Sequence, residues 1–116
     1  MNILKSVNCD KKDIVRASNA VDTFKEIVGE IVTINAAVIF EKEEVDEKTG
    51  ENKTVVVSAI RKEDGNFNTS ISPTIKNSLD TVLSVYSEEE ISNGIEVVVR
   101  AGTSNSGREF FYIDLY

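Results

Sequence analysis

The sequence predicts a mainly β protein with helices, arranged as an OB-fold: a five-stranded Greek-key barrel with a helix between strands 3 and 4. Three observations predict it. Residues 31–40 form an apolar, β-branched run without Gly or Pro, long enough to pair with strands on both sides. Two strands bounded by turn residues follow it, and then come a helix and two more strands. The order strand, strand, strand, helix, strand, strand is that of an OB-fold.

We expect one domain over residues 1–116, with residues 1–29 as an N-terminal helical extension and residues 30–116 as the barrel. At 116 residues and 41% apolar composition, the chain has room for one hydrophobic core. No basic segment followed by an apolar one opens the chain, and no apolar run could cross a bilayer. The single cysteine, Cys9, has no partner for an intramolecular disulfide, which favours a reducing, cytoplasmic compartment.

The N-terminal extension begins with an edge strand or arm over residues 1–7. Asp10 then predicts a helix N-cap, and Ile14, Val15 and Ala17 give that helix a small apolar face. A second helical segment is expected from Asn19, on the spacing of the apolar residues between positions 21 and 28. Gly29 is a suitable residue to end it and release the chain into the first barrel strand.

The first barrel strand carries its apolar residues at period two. This alternation predicts that one face of the strand is buried. Some residues of the opposite face are apolar too, so we expect both faces to be covered over part of the strand's length. The predicted buried face consists of Val32, Ile34, Ala36, Val38 and Phe40.

Polar and turn-forming segments separate the next two strands. Residues 41–53 predict the solvated tip of a long hairpin, and residues 54–60 its returning strand. The dipeptide Asp64-Gly65 is a strong hairpin signal, so residues 67–71 become the third strand. These three strands form a meander.

Ser72 and Pro73 predict the start of a helix, as its N-cap and first residue. The apolar stripe of that helix runs to Tyr86, and the helix is expected to end near Ser87. The fourth strand covers residues 95–101, a glycine-bounded loop covers 102–107, and the fifth strand covers 108–115. Within the fifth strand, Phe110 and Tyr112 lie on the opposite face from the residues expected in the core.

Three other architectures remain open on this element order: an open α+β sheet, another small barrel, or a ferredoxin-like fold. The ferredoxin-like fold needs the order βαββαβ, which the hairpin-rich middle of the chain does not supply.

The acidity of the chain is concentrated in two places. The formal net charge is −7, and it comes from the clusters at residues 41–51 and 88–90, while the rest of the chain is neutral. Two acidic protrusions on a balanced body leave room for a basic groove. The overall charge therefore does not exclude nucleic acid as a partner.

The sequence gives little support for catalysis, and we expect no enzyme, no cofactor and no metal. The chain has no histidine, which is the commonest general base and zinc ligand. Cys9 lacks a histidine to activate it as a nucleophile. The carboxylates of residues 41–51 do not have the spacing of a calcium loop, and Gly102 and Gly107 bracket a hairpin rather than open a phosphate-binding helix.

Short motifs in the second half of the chain carry a family resemblance. They are the turn Asp64-Gly65-Asn66-Phe67, the helix that follows the third strand, and the closing hairpin over residues 104–110. Through these motifs, residues 29–116 resemble the small single-stranded-DNA-binding proteins of bacteriophages, particularly those of protein-primed phages of Gram-positive bacteria. The resemblance implies an OB-fold, single-stranded DNA as partner, and the cytoplasm of a host cell. Self-association and replication proteins stay open as further partners.

An OB-fold binds its ligand on strands 2 and 3, with the loops between strands 1 and 2 and between strands 4 and 5 at the rim. Single strands are held by basic residues along the phosphates and by flat side chains under the bases. Projected onto this chain, that surface gives as nucleic-acid-binding candidates Lys53, Arg61, Lys62, Asn66, Phe67, Arg100, Arg108, Phe110 and Tyr112.

Each candidate has a structural alternative. Arg61 and Lys62 at a strand end are equally consistent with solvated surface, and Phe67 shares its parity with core residues. Phe110 and Tyr112 indicate stacking, because exposed aromatic residues beside arginine are typical of single-strand binding. An oligomer interface or the N-terminal helices could cover these two rings instead.

Two function classes therefore follow from the sequence. The first is a non-sequence-specific single-stranded DNA-binding protein that protects replication intermediates without chemistry. The second is an acidic protein-interaction module, or a DNA-mimicking decoy, that uses residues 41–51 and binds no nucleic acid.

Overall fold

The computed structural model describes residues 1–116 as a six-stranded antiparallel sheet with helices on both of its faces. None of the helices has the length and hydropathy of a membrane-spanning segment. In chain order the elements are β1 (Asn2–Val7), α1 (Lys11–Asn19), a 3-10 turn (Phe24–Ile27), β2 (Ile31–Val45), β3 (Asn52–Lys62), β4 (Phe67–Ser70), α2 (Pro73–Val85), α3 (Glu88–Ser92), β5 (Ile95–Thr103) and β6 (Glu109–Leu115).

The long strand β2 is the centre of the sheet, as its apolar run predicts. On one edge it pairs with β3, and on the other it pairs first with β5 and then with β1. The strand order is β4-β3-β2-β5-β6, with β1 beside the second half of β2. No pairing joins β4 to β6, so the sheet is open. The mainly β class is confirmed, whereas the closed five-stranded barrel is not: the sheet has six strands, and β1, β4 and β6 each pair with one neighbour only.

A β-bulge at Asn35 overturns the predicted single face of β2. Ile34 pairs with Lys62 and Ala36 pairs with Arg61, so one extra residue of β2 lies between consecutive residues of β3. Side chains on the two sides of the bulge therefore alternate out of phase. Ile34 shares a core cluster with Ala37 and Ile39, while Val38 and Phe40 belong to a cluster on the other face. Both faces of β2 are covered here, as expected for part of its length.

The larger core cluster lies between the sheet and the helices α2 and α3. The amphipathic stripe of α2 supplies Ile75, Leu79, Val82 and Leu83, which are buried. As predicted, Ser72 caps this helix by accepting a hydrogen bond from the Ile75 backbone N–H, and Pro73 is its first residue. The short α3 was not predicted. It begins at Ser87, whose side chain and that of Glu90 form a capping box.

The N-terminal segment packs against the sheet. β1 pairs with β2, which agrees with the predicted edge strand. The predicted second helix is only the 3-10 turn Phe24–Ile27, whose Phe24 and Ile27 are buried in the larger cluster. Asp10 caps α1 as predicted, by accepting a hydrogen bond from the Asp13 backbone N–H at 2.8 Å.

Candidate nucleic-acid interface

Helix α1 covers the outer face of the meander β2-β3-β4. Its residue Ala17 is buried in the smaller core cluster with Val38, Phe40, Val57 and Ala59, and Ile14 packs at the edge of this cluster. These sheet residues are aliphatic or aromatic, and burying them stabilises the packing of α1 against this face of the sheet. The surface on which an OB-fold holds its ligand is therefore occupied here by the chain's own helix.

The predicted contact residue Arg61 lies under this helix, in a polar network. Its Nη1 is 2.9 Å from Asp13 Oδ1 of α1, and its Nε donates a hydrogen bond to Asn35 Oδ1 at 2.8 Å. The two charged side chains of the pair are 20% and 12% exposed. Arg61 thus binds α1 to the bulge of β2, and its guanidinium is largely occupied by these two partners.

The same network controls two ionisable groups. Burial works against ionisation of Asp13, but hydrogen bonds from the Asp10 backbone and from Arg61, with the charge of Arg61, outweigh it and lower the pKa of the carboxyl. Burial, reinforced by the negative charge of Asp13, raises the pKa of the Cys9 thiol to about 11. Cys9 is therefore a protonated thiol at neutral pH, without the thiolate character that a nucleophile needs.

Phe67 also lies inside the smaller cluster and is 4% exposed. A ring buried to this extent has no free face for a base. Phe67 is therefore a core residue, which was the alternative left open by its position in the alternating pattern of β4. The neighbouring turn is exposed: Gly65 has φ of +87°, as the Asp-Gly signal predicts, and Asn66 is at the surface. Lys62 is half-buried beside this turn, 3.9 Å from Asp64.

Lys53 lies apart from the other candidates. It is exposed on β3, directly opposite Glu44, in the part of the β2-β3 hairpin that extends beyond β4. Residues 41–51 of this hairpin, called the acidic ribbon below, carry six carboxylates, which oppose the approach of a phosphate backbone.

Four predicted residues come together on the β5-β6 hairpin. Phe110 and Tyr112 lie on the outer face of β6 with ring centroids 6.0 Å apart and planes tilted by 36°. Both are half-buried, and neither belongs to a core cluster. Arg100 pairs directly with Tyr112 across the two strands, and Arg108 is exposed one residue before β6. Residues paired in this way share a face of the sheet.

Two residues that the sequence reasoning missed shape this aromatic face. Gly102 pairs with Phe110, and a Cβ atom on Gly102 would lie only 2.6 Å from Phe110 Cζ, so the ring rests directly on the glycine backbone. Asp114 Oδ2 accepts a hydrogen bond from Arg100 Nε at 2.8 Å. A glycine inside a strand is the signal that could have revealed the first, because it often marks a close approach.

The geometry provides two aromatic rings with one arginine beside them and another at the adjoining turn. Such a surface can stack bases and contact phosphates, and it carries no group arranged for bond cleavage. The Arg100 guanidinium is shared with Asp114, whereas Arg108 has no ion pair.

Comparison with known proteins gives one match. A family model described as phage single-stranded DNA-binding protein matches residues 8–116. The match begins directly after β1 and includes α1, the whole meander and the β5-β6 hairpin. No curated protein and no solved structure matches the chain.

Proposed function

The chain belongs to the phage single-stranded DNA-binding proteins, and we propose that it binds single strands without sequence preference through the β5-β6 hairpin and so protects replication intermediates. The observation that carries the proposal is the pair Phe110 and Tyr112, half-exposed beside Arg100 on one face. Every base has a flat face, so stacking on such rings is independent of sequence and contributes roughly 1–3 kcal/mol per base.

Electrostatics support the same face. Arg100 and Arg108 provide positive charge at the two ends of the aromatic pair, and the acidic ribbon lies on another hairpin. A phosphate backbone that follows the rings can contact both guanidinium groups, and binding then releases counterions from the strand. The proposed action is to coat the strand, without any covalent step.

Binding can be measured by the fluorescence anisotropy of a labelled oligo-dT at low and moderate salt. We expect length-dependent binding that weakens as salt is added, and an affinity that falls about 5- to 100-fold in Tyr112→Ala, equivalent to one stacked base. A matched control is Val45→Ala, which removes an exposed apolar side chain from the tip of the β2-β3 hairpin. A mixed-sequence oligonucleotide of equal length should bind with an affinity within a few-fold of that for oligo-dT.

Two results would overturn the proposal. If Tyr112→Ala and Phe110→Ala bind like Val45→Ala, the hairpin face is not the site. If the unaltered protein binds no oligonucleotide at low salt, the alternative function of an acidic protein-interaction module or decoy is favoured. The protective role is tested separately, by digesting the coated strand with a single-strand-specific nuclease.

A further inference from the structure

The solvent face of α1 carries three basic side chains with no ion-pair partner. Lys11, Lys12 and Arg16 are exposed, and with Val15 they line an open concavity of about 350 Å³. Six of the 13 basic residues of the chain are in ion pairs, but these three are not. In an acidic protein, this is a concentrated patch of positive charge, adjoined by one exposed acid, the N-cap residue Asp10.

The placement of Lys11 and Lys12 opposes the stability of the helix, whereas Arg16 lies in its last turn, where a cation is favoured. Lys11 and Lys12 are the first two residues of α1, where the positive end of the helix dipole favours acidic side chains. Lys12 and Arg16 are four residues apart, so two like charges are neighbours on one face. Each of these two arrangements is unfavourable to the helix. The acid of the first turn, Asp13, points inward to Arg61 and does not neutralise the outer face.

The patch also lies on the helix that covers the sheet surface where phosphate contacts were expected. Asp13 of α1 pairs with Arg61, the sheet residue expected to contact phosphate, and α1 presents its own basic residues on its outer side. Arg16 lines a second concavity together with Asn66 of the β3-β4 turn. The basic face of α1 is therefore continuous with a turn that the sequence reasoning had placed at the interface. One acid, Asp22, lines this second concavity as well.

We infer that Lys11, Lys12 and Arg16 form a phosphate-binding strip for single-stranded DNA on the outer face of α1. The inference rests on the proposed function, because it adds a second contact region for the same ligand. The strip has no aromatic ring, so it holds the backbone of the strand and not its bases. Its contribution is electrostatic and independent of base identity.

The test compares two double variants that remove the same charge. Lys12→Gln/Arg16→Gln removes two cations from the strip, and Lys25→Gln/Lys48→Gln removes two exposed, unpaired cations from elsewhere. For single strands, each phosphate contact contributes about 0.7 to the slope of log K against log salt. We expect the strip variant to lower that slope by about 1.4 and to weaken binding to oligo-dT roughly 10- to 30-fold at 0.1 M salt. The control variant should lose only a few-fold.

Two measurements separate binding from folding. The melting temperature of the strip variant should stay close to that of the unaltered protein, because the relief of repulsion between Lys12 and Arg16 offsets the loss of a cation from the last turn of α1. The charge-preserving exchange Lys12→Arg/Arg16→Lys should keep the original salt slope. A strip variant whose slope equals that of the control overturns the inference, while Tyr112→Ala still tests the aromatic face. Absence of any binding by the unaltered protein overturns the inference together with the proposed function.

Discussion

Gly102→Ala tests whether the position of the Phe110 ring matters for binding. The added Cβ would lie 2.6 Å from Phe110 Cζ and 2.9 Å from Cε2, whereas ordinary contact begins at 3.4 Å. The ring must therefore move by about 0.8 Å or rotate away from β5. Gly102 is not among the residues with positive φ, so alanine adopts its backbone conformation without strain.

The two effects on folding stability nearly cancel. Alanine in place of a strand glycine gains roughly 0.5–1 kcal/mol from the lower entropy of the unfolded chain. Displacing Phe110 weakens its contact with Tyr112, and such aromatic pairs contribute about 0.5–1.5 kcal/mol. We expect the free energy of unfolding to change by less than about 1 kcal/mol. Affinity for oligo-dT should fall roughly 3- to 30-fold, because the ring no longer lies where a base stacks against it.

The assay is a double-mutant cycle with Phe110→Ala, read by oligonucleotide anisotropy and by urea denaturation. If Gly102 acts only through the ring, Gly102→Ala has no further effect on binding once Phe110 is alanine. An equal loss of affinity in both backgrounds would contradict an action of Gly102 through the Phe110 ring. So would a Gly102→Ala protein that binds normally while Phe110→Ala does not.

Three further substitutions test other parts of the molecule. Asp114→Asn releases Arg100 from its 2.8 Å partner, so we expect roughly two- to fivefold tighter binding of oligo-dT, since an exposed ion pair is worth up to about 1 kcal/mol. Phe67→Ala leaves a cavity under α1 and should lower the free energy of unfolding in urea by about 3–5 kcal/mol. Asp13→Asn should lower it by roughly 1–3 kcal/mol at pH 7, because Arg61 loses its charged partner. The folded-state pKa of Asp13 lies below its ordinary value of 3.8, so this stabilisation is complete above that pH and disappears as the pH falls through the folded-state pKa. Urea denaturation between pH 3 and pH 7 should show the two proteins converging at the acid end.

Each of these has its own control. Arg100→Ala should weaken binding, opposite to Asp114→Asn, and equal effects would mean that the pair positions the hairpin and does not compete with DNA. A stable Phe67→Ala protein with impaired binding would place that ring at the interface. A difference between Asp13→Asn and the unaltered protein that persists unchanged to pH 3 would mean that the Asp13 charge is not involved.

Local sequence signals predicted most of the elements, because those signals act within a few residues. The β-branched run of β2, the Asp64-Gly65 turn and the Ser72-Pro73 helix start each depend on the preferences of neighbouring residues. The bulge at Asn35 has no such local signal. Its carbonyl accepts from Asn8 and its side chain from Arg61, and both partners are distant in sequence. Extrapolating one parity through the bulge gave the wrong face for half of the strand.

The site was only partly predictable, for a related reason. Phe110 and Tyr112 are adjacent on one face of one strand, and alternation alone places them together. Arg61 and Phe67 were both candidates for the contact surface, although the parity of Phe67 also allowed a core position, and α1 covers both from about fifty residues away in the chain. The alternation of residues in β3 and β4 does not predict which face of these strands a distant helix will cover.

The composition of the covered strand explains why α1 lies on the meander and not on the β5-β6 hairpin. The side chains of β3 that face α1 include Val57 and Ala59, which are aliphatic and offer no ring for a base. Left bare, they would expose apolar surface to water, and burial under Ala17 and Ile14 removes it. The outer face of β5-β6 instead alternates arginine, glycine and aromatic residues, which remain compatible with water and can stack. In this chain the projected OB-fold contact surface therefore has the chemistry of a core, and the last hairpin is the face that we propose for binding.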